Sequence, residues 1–389
     1  MSPPAHLTGI TVLDLSSVGP AARCTRILAD YGASVIKVAP TPRKGSLQIQ
    51  PPYYAYSGHR GMKRLQVDLK APEGKAAFLR LAAVADVIVE SFRPGVVSRL
   101  GIGYDEVRRV NEGIVYCSTS GYGQDGPAAQ WAGHDLNYLA VGGYLHCAGR
   151  RADGGPALPG ATVADSAGGG MHAAIAILAA LLRRHVTGKG EYLDVSVAEG
   201  VLFFTSLSID QYLATGERPG PGHDILTGRY ACYDVYQARD GKWLAVGAIE
   251  AAFYANLCRA LGCEQWMPFQ TDDARQDEIR AAFRRAFATR DRDEWIAELA
   301  PRDTCVAPVY AIDELIDAPQ FRSRNVFVEA IHERHGRFRQ IGPVMAGIDR
   351  SATTYAVPDT DLTDTDELLR GAGMSEYEIE KLRQLGIVA

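Results

Sequence analysis

Short apolar runs alternate with amphipathic stretches through the first third of the chain. Thr11-Val-Leu-Asp-Leu15 is a run of strand length, Pro20 follows where a helix can open, residues 21–31 carry a helical pattern, and Gly32 stops it. Residues 34–39 form the next apolar run. Strand, helix and strand within about 30 residues make a βαβ unit and predict a parallel sheet. The alternation continues with a helix over 74–84, a strand over 86–90, a helix over 104–111 and a strand over 114–118. These strands are unbroken apolar runs, the pattern expected when both faces of a sheet are covered.

Between residues 120 and 160 glycine and proline become dense, which reads as functional loop. A long helix is expected over 166–185, a turn at Thr187-Gly-Lys-Gly190 and a strand over 192–197. The apolar stretch 167–182 is shorter than a membrane span and holds Gly168, Gly169, Gly170 and His172, so it reads as a buried core helix. A Pro/Gly-rich crossing at 216–228 marks a domain boundary. Beyond it come two strands, 232–236 and 242–248, about a turn at Asp240-Gly241. Helices follow over 253–261, 276–288 and 292–299, and residues 305–310 close the unit. The tail reads as polar loops until Ser375, which starts a last helix with an acidic first turn.

Composition narrows the class. With 389 residues, 47% hydrophobic and 22% charged, the chain reads as a soluble globular protein, too long for one small domain and long enough for one large domain or two or three ordinary ones. A net charge of −5 offers no basic surplus for nucleic acid. The seven cysteines are scattered without a C-x-x-C, as in a reducing cytoplasm, and residues 1–4 show no basic region leading into an apolar run, so no signal peptide is visible. The expected location is cytoplasmic, with neither membrane nor nucleic acid as a partner.

Two motifs mislead. Gly121-Tyr-Gly-Gln-Asp-Gly126 fits G-x-G-x-x-G, but Pro127 and a loop follow where a dinucleotide site needs a helix, so a tight turn near a ligand is expected. His332-Glu-Arg-His335 is not H-E-x-x-H and reads as two solvent-facing histidines. No P-loop, G-x-S-x-G elbow or zinc spacing occurs. No metal and no cofactor beyond the substrate itself is expected.

Three polar residues stand in apolar or glycine-rich settings: His134 in Gly-His-Asp-Leu-Asn-Tyr, Asp165 in Val-Ala-Asp-Ser-Ala-Gly-Gly-Gly, and Glu250 in Val-Gly-Ala-Ile-Glu. Each has an ordinary structural role open to it. His134 can be a satisfied structural histidine, Asp165 a helix N-cap and Glu250 the start of a helix.

These segments resemble the α-methylacyl-CoA racemases of the family III CoA-transferase (CaiB/BaiF) superfamily. Leu7-Thr-Gly-Ile-Thr-Val-Leu-Asp-Leu, Val67-Asp-Leu-Lys70, Glu90-Ser-Phe-Arg-Pro-Gly-Val and Thr187-Gly-Lys-Gly-Glu-Tyr-Leu-Asp-Val match as well, and the likeness runs in order from Leu7 to about residue 327. It implies an α/β fold with a Rossmann-like large domain (1–226 and 319–389), a small α+β domain (227–318) and an interlocked homodimer. His134 and Asp165 would come from one subunit and Glu250 from the other.

The implied chemistry is α-proton removal from a 2-methylacyl-CoA and proton return to the opposite face. His134 and Asp165 would serve the two faces and Glu250 would orient the imidazole. Amides at the helix start beside Asp165 would serve the enolate oxygen. Gly168–Gly170 would admit the ligand to that backbone. The CoA part would meet Val67, Asp68, Leu69, Lys70, Ser91, Phe92, Arg93, Arg99, Gly133, Asp135, Asn137 and Tyr138. Where relatives carry an arginine, this chain has Pro40, leaving Arg43 or Lys44 to substitute. Cys117-Ser-Thr-Ser-Gly-Tyr-Gly is closer to the transferase branch. In that alternative Asp165 attacks an acyl-CoA and carries the acyl group as an anhydride. A non-catalytic acyl-CoA-binding dimer is the third reading.

Overall fold

Four consecutive side chains with no exposed partner row place Thr11–Asp14 (β1) at the centre of a parallel sheet, where Val12, Leu13 and Asp14 are fully buried. The computed structural model describes residues 5–41, 53–54, 60–359 and 362–389. After β1 come Gly19–Asp30 (α1), Ser34–Ala39 (β2), Lys63–Gln66 (β3), Pro72–Ala82 (α2) and Val87–Glu90 (β4). Val96–Leu100 (α3), Tyr104–Arg108 (α4), Val115–Ser120 (β5), Asp135–Val141 (α5) and Tyr144–Cys147 (α6) follow. A π-helical run, Ala164–Met171, leads directly into His172–Thr187 (α7), and Glu191–Ser196 (β6) and Val197–Thr215 (α8) come next. The long helix therefore starts two residues before its sequence expectation, and with a wider turn.

The six strands lie in the order β3-β2-β1-β4-β5-β6, each pair parallel. Both faces are covered, as the unbroken apolar runs predict. Leu13, Ile36 and Ile88 join one cluster with Phe78, Leu369 and Ile379, while their neighbours Val12, Val35 and Val87 join another with Leu28, Ala173 and Ile177. Chain order reverses between β1 and β4, the switch point at which open sheets of this kind place a ligand crevice, outside the carboxyl ends of those two strands. β3 has no counterpart in the sequence reading, because Lys63 and Arg64 break its apolar run.

Contacts divide the chain into two units. The first is Met1–Gly143, Pro159–Thr205 and Gln320–Ala389; the second is Tyr144–Leu158 and Ser206–Pro319. The division thus falls inside α8, ahead of the glycine-rich crossing at 216–228, and the second unit also takes in residues 144–158. That unit holds Tyr233–Gln237 (β7), Trp243–Gly247 (β8), Ala251–Ala260 (α9), Gln276–Phe287 (α10), Arg292–Leu299 (α11), Val306–Pro308 (β9) and Ile312–Asp317 (α12). Its antiparallel sheet, β7-β8-β9, packs a core that includes Tyr236, Leu244, Tyr254, Phe283 and Trp295.

Pro319–Arg322 (α13) precedes a tail that is more ordered than polar loops. Phe327–His332 (β10), Gly336–Ile341 (β11) and Thr354–Val357 (β12) form a sheet in the order β11-β10-β12. Val328, Ala330 and His332 share its inward face and are buried, which corrects the expectation that His332 faces solvent. Its Nδ1 accepts the amides of Arg334 at 3.1 Å and His335 at 3.3 Å, so the ring closes the hairpin. Thr365–Gly371 (α14) and Glu376–Gln384 (α15) complete the chain, the latter opened by Ser375, whose Oγ accepts the Glu378 amide as expected.

Candidate active site

The lip of the crevice is set first by Asp14. Its carboxylate accepts the Ser16 amide at 2.8 Å, Lys37 Nζ at 2.6 Å and the Thr25 hydroxyl, and Lys37 also reaches the Ser16 carbonyl. This buried ion pair, satisfied by further donors, fixes the turn from β1 into α1. Gly19 closes the turn at φ +78°, and a side chain there would stand 4.0 Å from Asp165 Oδ2.

Asp165 lies in the first turn of the π-helical run, a wider turn of the kind often found at functional sites. Val163 occupies the N-cap and the Asp165 side chain caps nothing, which removes the capping role the sequence left open. Its carboxylate is half-buried, with Arg23 Nη1 of α1 at 4.0 Å. Burial raises its pKa above the usual carboxylate range and the Asp135 charge adds to the rise, while Arg23 and His134 oppose it. The Asp165 amide donates to Asp135 Oδ1 at 2.8 Å and the Ser166 amide to the Thr162 carbonyl at 3.0 Å. Those two amides are committed within the chain, so the expected use of this helix start for an enolate oxygen is not supported by their geometry.

The three glycines after Asp165 serve packing. A Cβ at Gly169 would lie 2.4 Å from Pro20 Cβ, one at Gly170 2.8 Å from Arg23 Cβ, and one at Gly168 3.2 Å from the Val197 carbonyl. All three are buried between α1 and α8, so they bring helices together and do not open the backbone to a ligand, as the sequence suggested.

His134 is exposed at the N-cap of α5 and lies within electrostatic range of Asp165. Its amide donates to Asn137 Oδ1 at 3.0 Å, and the Tyr138 hydroxyl donates to the Gly133 carbonyl at 2.6 Å. The Tyr138 ring needs the space of two glycines: a Cβ would approach it to 2.3 Å at Gly121 and 2.8 Å at Gly133. Burial, then the Asp165 charge, pushes the Tyr138 hydroxyl up to about 12. Thus Asn137, Tyr138 and Asp135, expected among the CoA contacts, turn their polar groups to the backbone that carries His134 and Asp165. Arg23 was not singled out from sequence, where it is one of several arginines on a helix.

At the other side of the crevice, Ser91 and Arg93 are exposed after β4 while Phe92 packs partly on the core. Arg99 is exposed, close to the left-handed Gly95. Among the described residues neither Arg93 nor Arg99 forms an ion pair. Val67 is buried and bridged to Val388, the Asp68 amide donates to the Ile387 carbonyl at 2.8 Å, and Asp68 Oδ1 takes the Lys70 amide at 3.0 Å. Leu69 packs partly on the core and Lys70 is exposed. Pro40 ends β2, and Arg43 and Lys44 lie outside the described residues. Glu250 stands on the second unit, exposed at the N-cap of α9, with no capping bond from its carboxylate.

A sequence model described as CoA-transferase family III matches residues 7–360. The human protein named alpha-methylacyl-CoA racemase is 34% identical over 389 aligned residues, 98% of this chain and 97% of that protein. An acetyl-CoA:oxalate CoA-transferase of Acetobacter aceti is 31% identical, covering 84% of this chain and 87% of that one. The crystal structure of a CAIB/BAIF family protein from Brucella suis superposes with a TM-score of 0.77 at 25% identity, over 96% of this chain and 100% of that chain.

Proposed function

The chain belongs to the CoA-transferase family III, and from that premise we propose that it is a racemase of 2-methyl-branched acyl-CoA thioesters. The observation that carries the reading is the pairing, on one unit, of the exposed imidazole of His134 with a carboxyl whose pKa burial raises, Asp165. Racemisation needs a base on one face of the α-carbon and an acid on the other. His134 takes the α-proton from one face, and the electrons of that C–H bond pass to the thioester carbonyl as an enolate. Protonated Asp165 returns its proton to the opposite face. The reverse direction exchanges the two roles. A carboxyl shifted upward is suited to holding a proton for part of the cycle.

Glu250, supplied by a second copy of the chain, orients the His134 ring and steadies its positive form. Self-association is supported by apolar side chains left in water on α7 and α8: Leu182 is 71% exposed, Phe203 80% and Leu213 74%. The CoA part lies along the crevice, its phosphates on Arg93 and Arg99, whose guanidiniums are exposed and outside any described ion pair. The protein acts in the cytoplasm, with no cofactor beyond the substrate. A transferase reading is favoured by one observation: the Acetobacter relative is nearly as similar in identity, 31% against 34%, and Asp165 equally suits a nucleophile that carries an acyl group.

Incubation of the protein with (R)-2-methylacyl-CoA in deuterated water tests both. Deuterium at the α-carbon without added acid supports racemisation; CoA movement only on adding a free carboxylic acid replaces it with transfer.

A further inference from the structure

Glu90 is a buried acid that the proton transfers do not use. It is 1% exposed, the last residue of β4, at the edge of the crevice. Its Oε2 accepts the Phe92 amide at 2.7 Å, and the side chain of Ser118, its register partner on β5, lies beside the carboxyl and favours its charged form. The Thr119 hydroxyl donates to the Glu90 carbonyl at 3.2 Å. The titratable groups around it are Tyr116 and Cys117 on β5 with Tyr192 and Asp194 on β6, and none of them carries positive charge.

A buried carboxyl is normally matched with a cation; without one it costs stability that an apolar side chain of the same volume would not. Burial, with a smaller push from Asp194, accordingly lifts this carboxyl to about 7. What the acid obtains here is geometry. It holds the one backbone amide between Ser91 and Arg93, the two exposed residues of the turn that leaves the sheet. Fixing that amide fixes the direction in which both side chains leave the backbone.

We propose that Glu90 is a positioning residue: it ties the Ser91–Arg93 turn to the end of β4 and so sets Arg93 where the CoA phosphates are held. This rests on the reading of the crevice as an acyl-CoA site. The role is independent of which branch of chemistry follows, because both branches must hold CoA.

The test uses the full-length protein and free CoA as the probe. The dissociation constant is measured by titration calorimetry for the wild type, Glu90→Met and Glu90→Gln, and hydrogen exchange of the Phe92 amide is followed alongside. Methionine keeps the volume and removes the acceptor; glutamine keeps an acceptor for the amide. The expected result is CoA binding about tenfold weaker in Glu90→Met, the size of one lost hydrogen bond to a charged group, with recovery to within about threefold in Glu90→Gln. The Phe92 amide should exchange fast in the methionine variant and slowly in the other two. A Glu90→Met protein that binds CoA like the wild type overturns the proposal. So does a loss of binding that glutamine fails to restore, or one matched by an equal fall in unfolding temperature. If the wild type itself does not bind CoA while the exchange pattern holds, the substrate reading fails and the tie between strand and turn stands.

Discussion

Replacing Gly169 with alanine adds one methyl group at the closest approach between the π-helical run and α1. The new Cβ would stand 2.4 Å from Pro20 Cβ and 2.9 Å from a methyl carbon of Val197, both far inside contact distance. Pro20 is a ring in the first turn of α1 and has no rotamer by which to withdraw, so the two helices must separate. Overpacking of this kind costs about 3 kcal/mol at the upper end of its usual range. Alanine recovers about 1 kcal/mol over glycine in a helix, leaving a net loss of about 2 kcal/mol. For a unit of this size that corresponds to an unfolding temperature lower by about 4–8 °C. The matched control is Gly371→Ala at the end of α14, where an added Cβ meets nothing within 4 Å. There the smaller entropy of the unfolded chain should raise stability by about 0.4–1 kcal/mol. Calorimetric unfolding of both variants gives the answer. Because Asp165 sits one turn before Gly169, deuterium uptake into substrate should also fall about tenfold or more in Gly169→Ala, as a displacement of about 1 Å at a reacting group commonly does. A Gly169→Ala protein as stable as the wild type would refute the view that these glycines exist for helix contact.

Two further outcomes are expected. Tyr138→Phe removes the hydroxyl that holds the Gly133 carbonyl at 2.6 Å and should cost about 1 kcal/mol in the placement of His134, read as a fall of about fivefold in deuterium uptake at saturating substrate. Glu90 titrates near 4.5 in its ordinary state and is raised to about 7 in the fold, so the native protein binds the extra proton between those values. Its stability is then full below pH 4.5 and declines as pH rises towards 7, by about 3 kcal/mol in all. Glu90→Gln cannot ionise, so denaturant titration should find the variant level with the wild type near pH 5 and more stable than it near pH 8.

The legible part of the fold was the part with a single period. β1, β2, β4 and β5 are buried on both faces, so their apolar runs announce them. β3 and β10 were missed for one reason: each mixes charged with apolar positions. In β10 Val328 and Ala330 alternate with partly exposed neighbours, a period of two that the charges of Glu329 and Glu333 obscure. That same period, carried two residues further, buries His332. Gly168–Gly170 show the opposite difficulty. Three glycines in a row look alike whether they admit a ligand or a neighbouring helix, and only Pro20, Arg23 and Val197, distant in sequence, decide between the two.

The site was legible as residue types and not as environments. His134 and Asp165 are 31 positions apart, and no spacing rule relates them; resemblance alone named them together. What the fold adds is the environment of each acid. Asp165 is poised by burial against the opposing charges of Asp135 and Arg23, and Glu90 by burial beside an amide and a hydroxyl with no cation near. In both cases a carboxyl is raised because water has been taken away, which is a property of the packing of α1, α5 and the sheet around it. In sequence the same two acids are followed by serine and lie among small or apolar residues, as many solvent-exposed acids do. The difference between a structural acid and one suited to the proposed chemistry therefore lies in which donors the fold leaves it. Asp14 has a lysine and two hydroxyls and is a fixture of the β1–α1 turn. Asp165 has an arginine at 4.0 Å and an imidazole within electrostatic range, a setting that suits the proton exchange proposed for it.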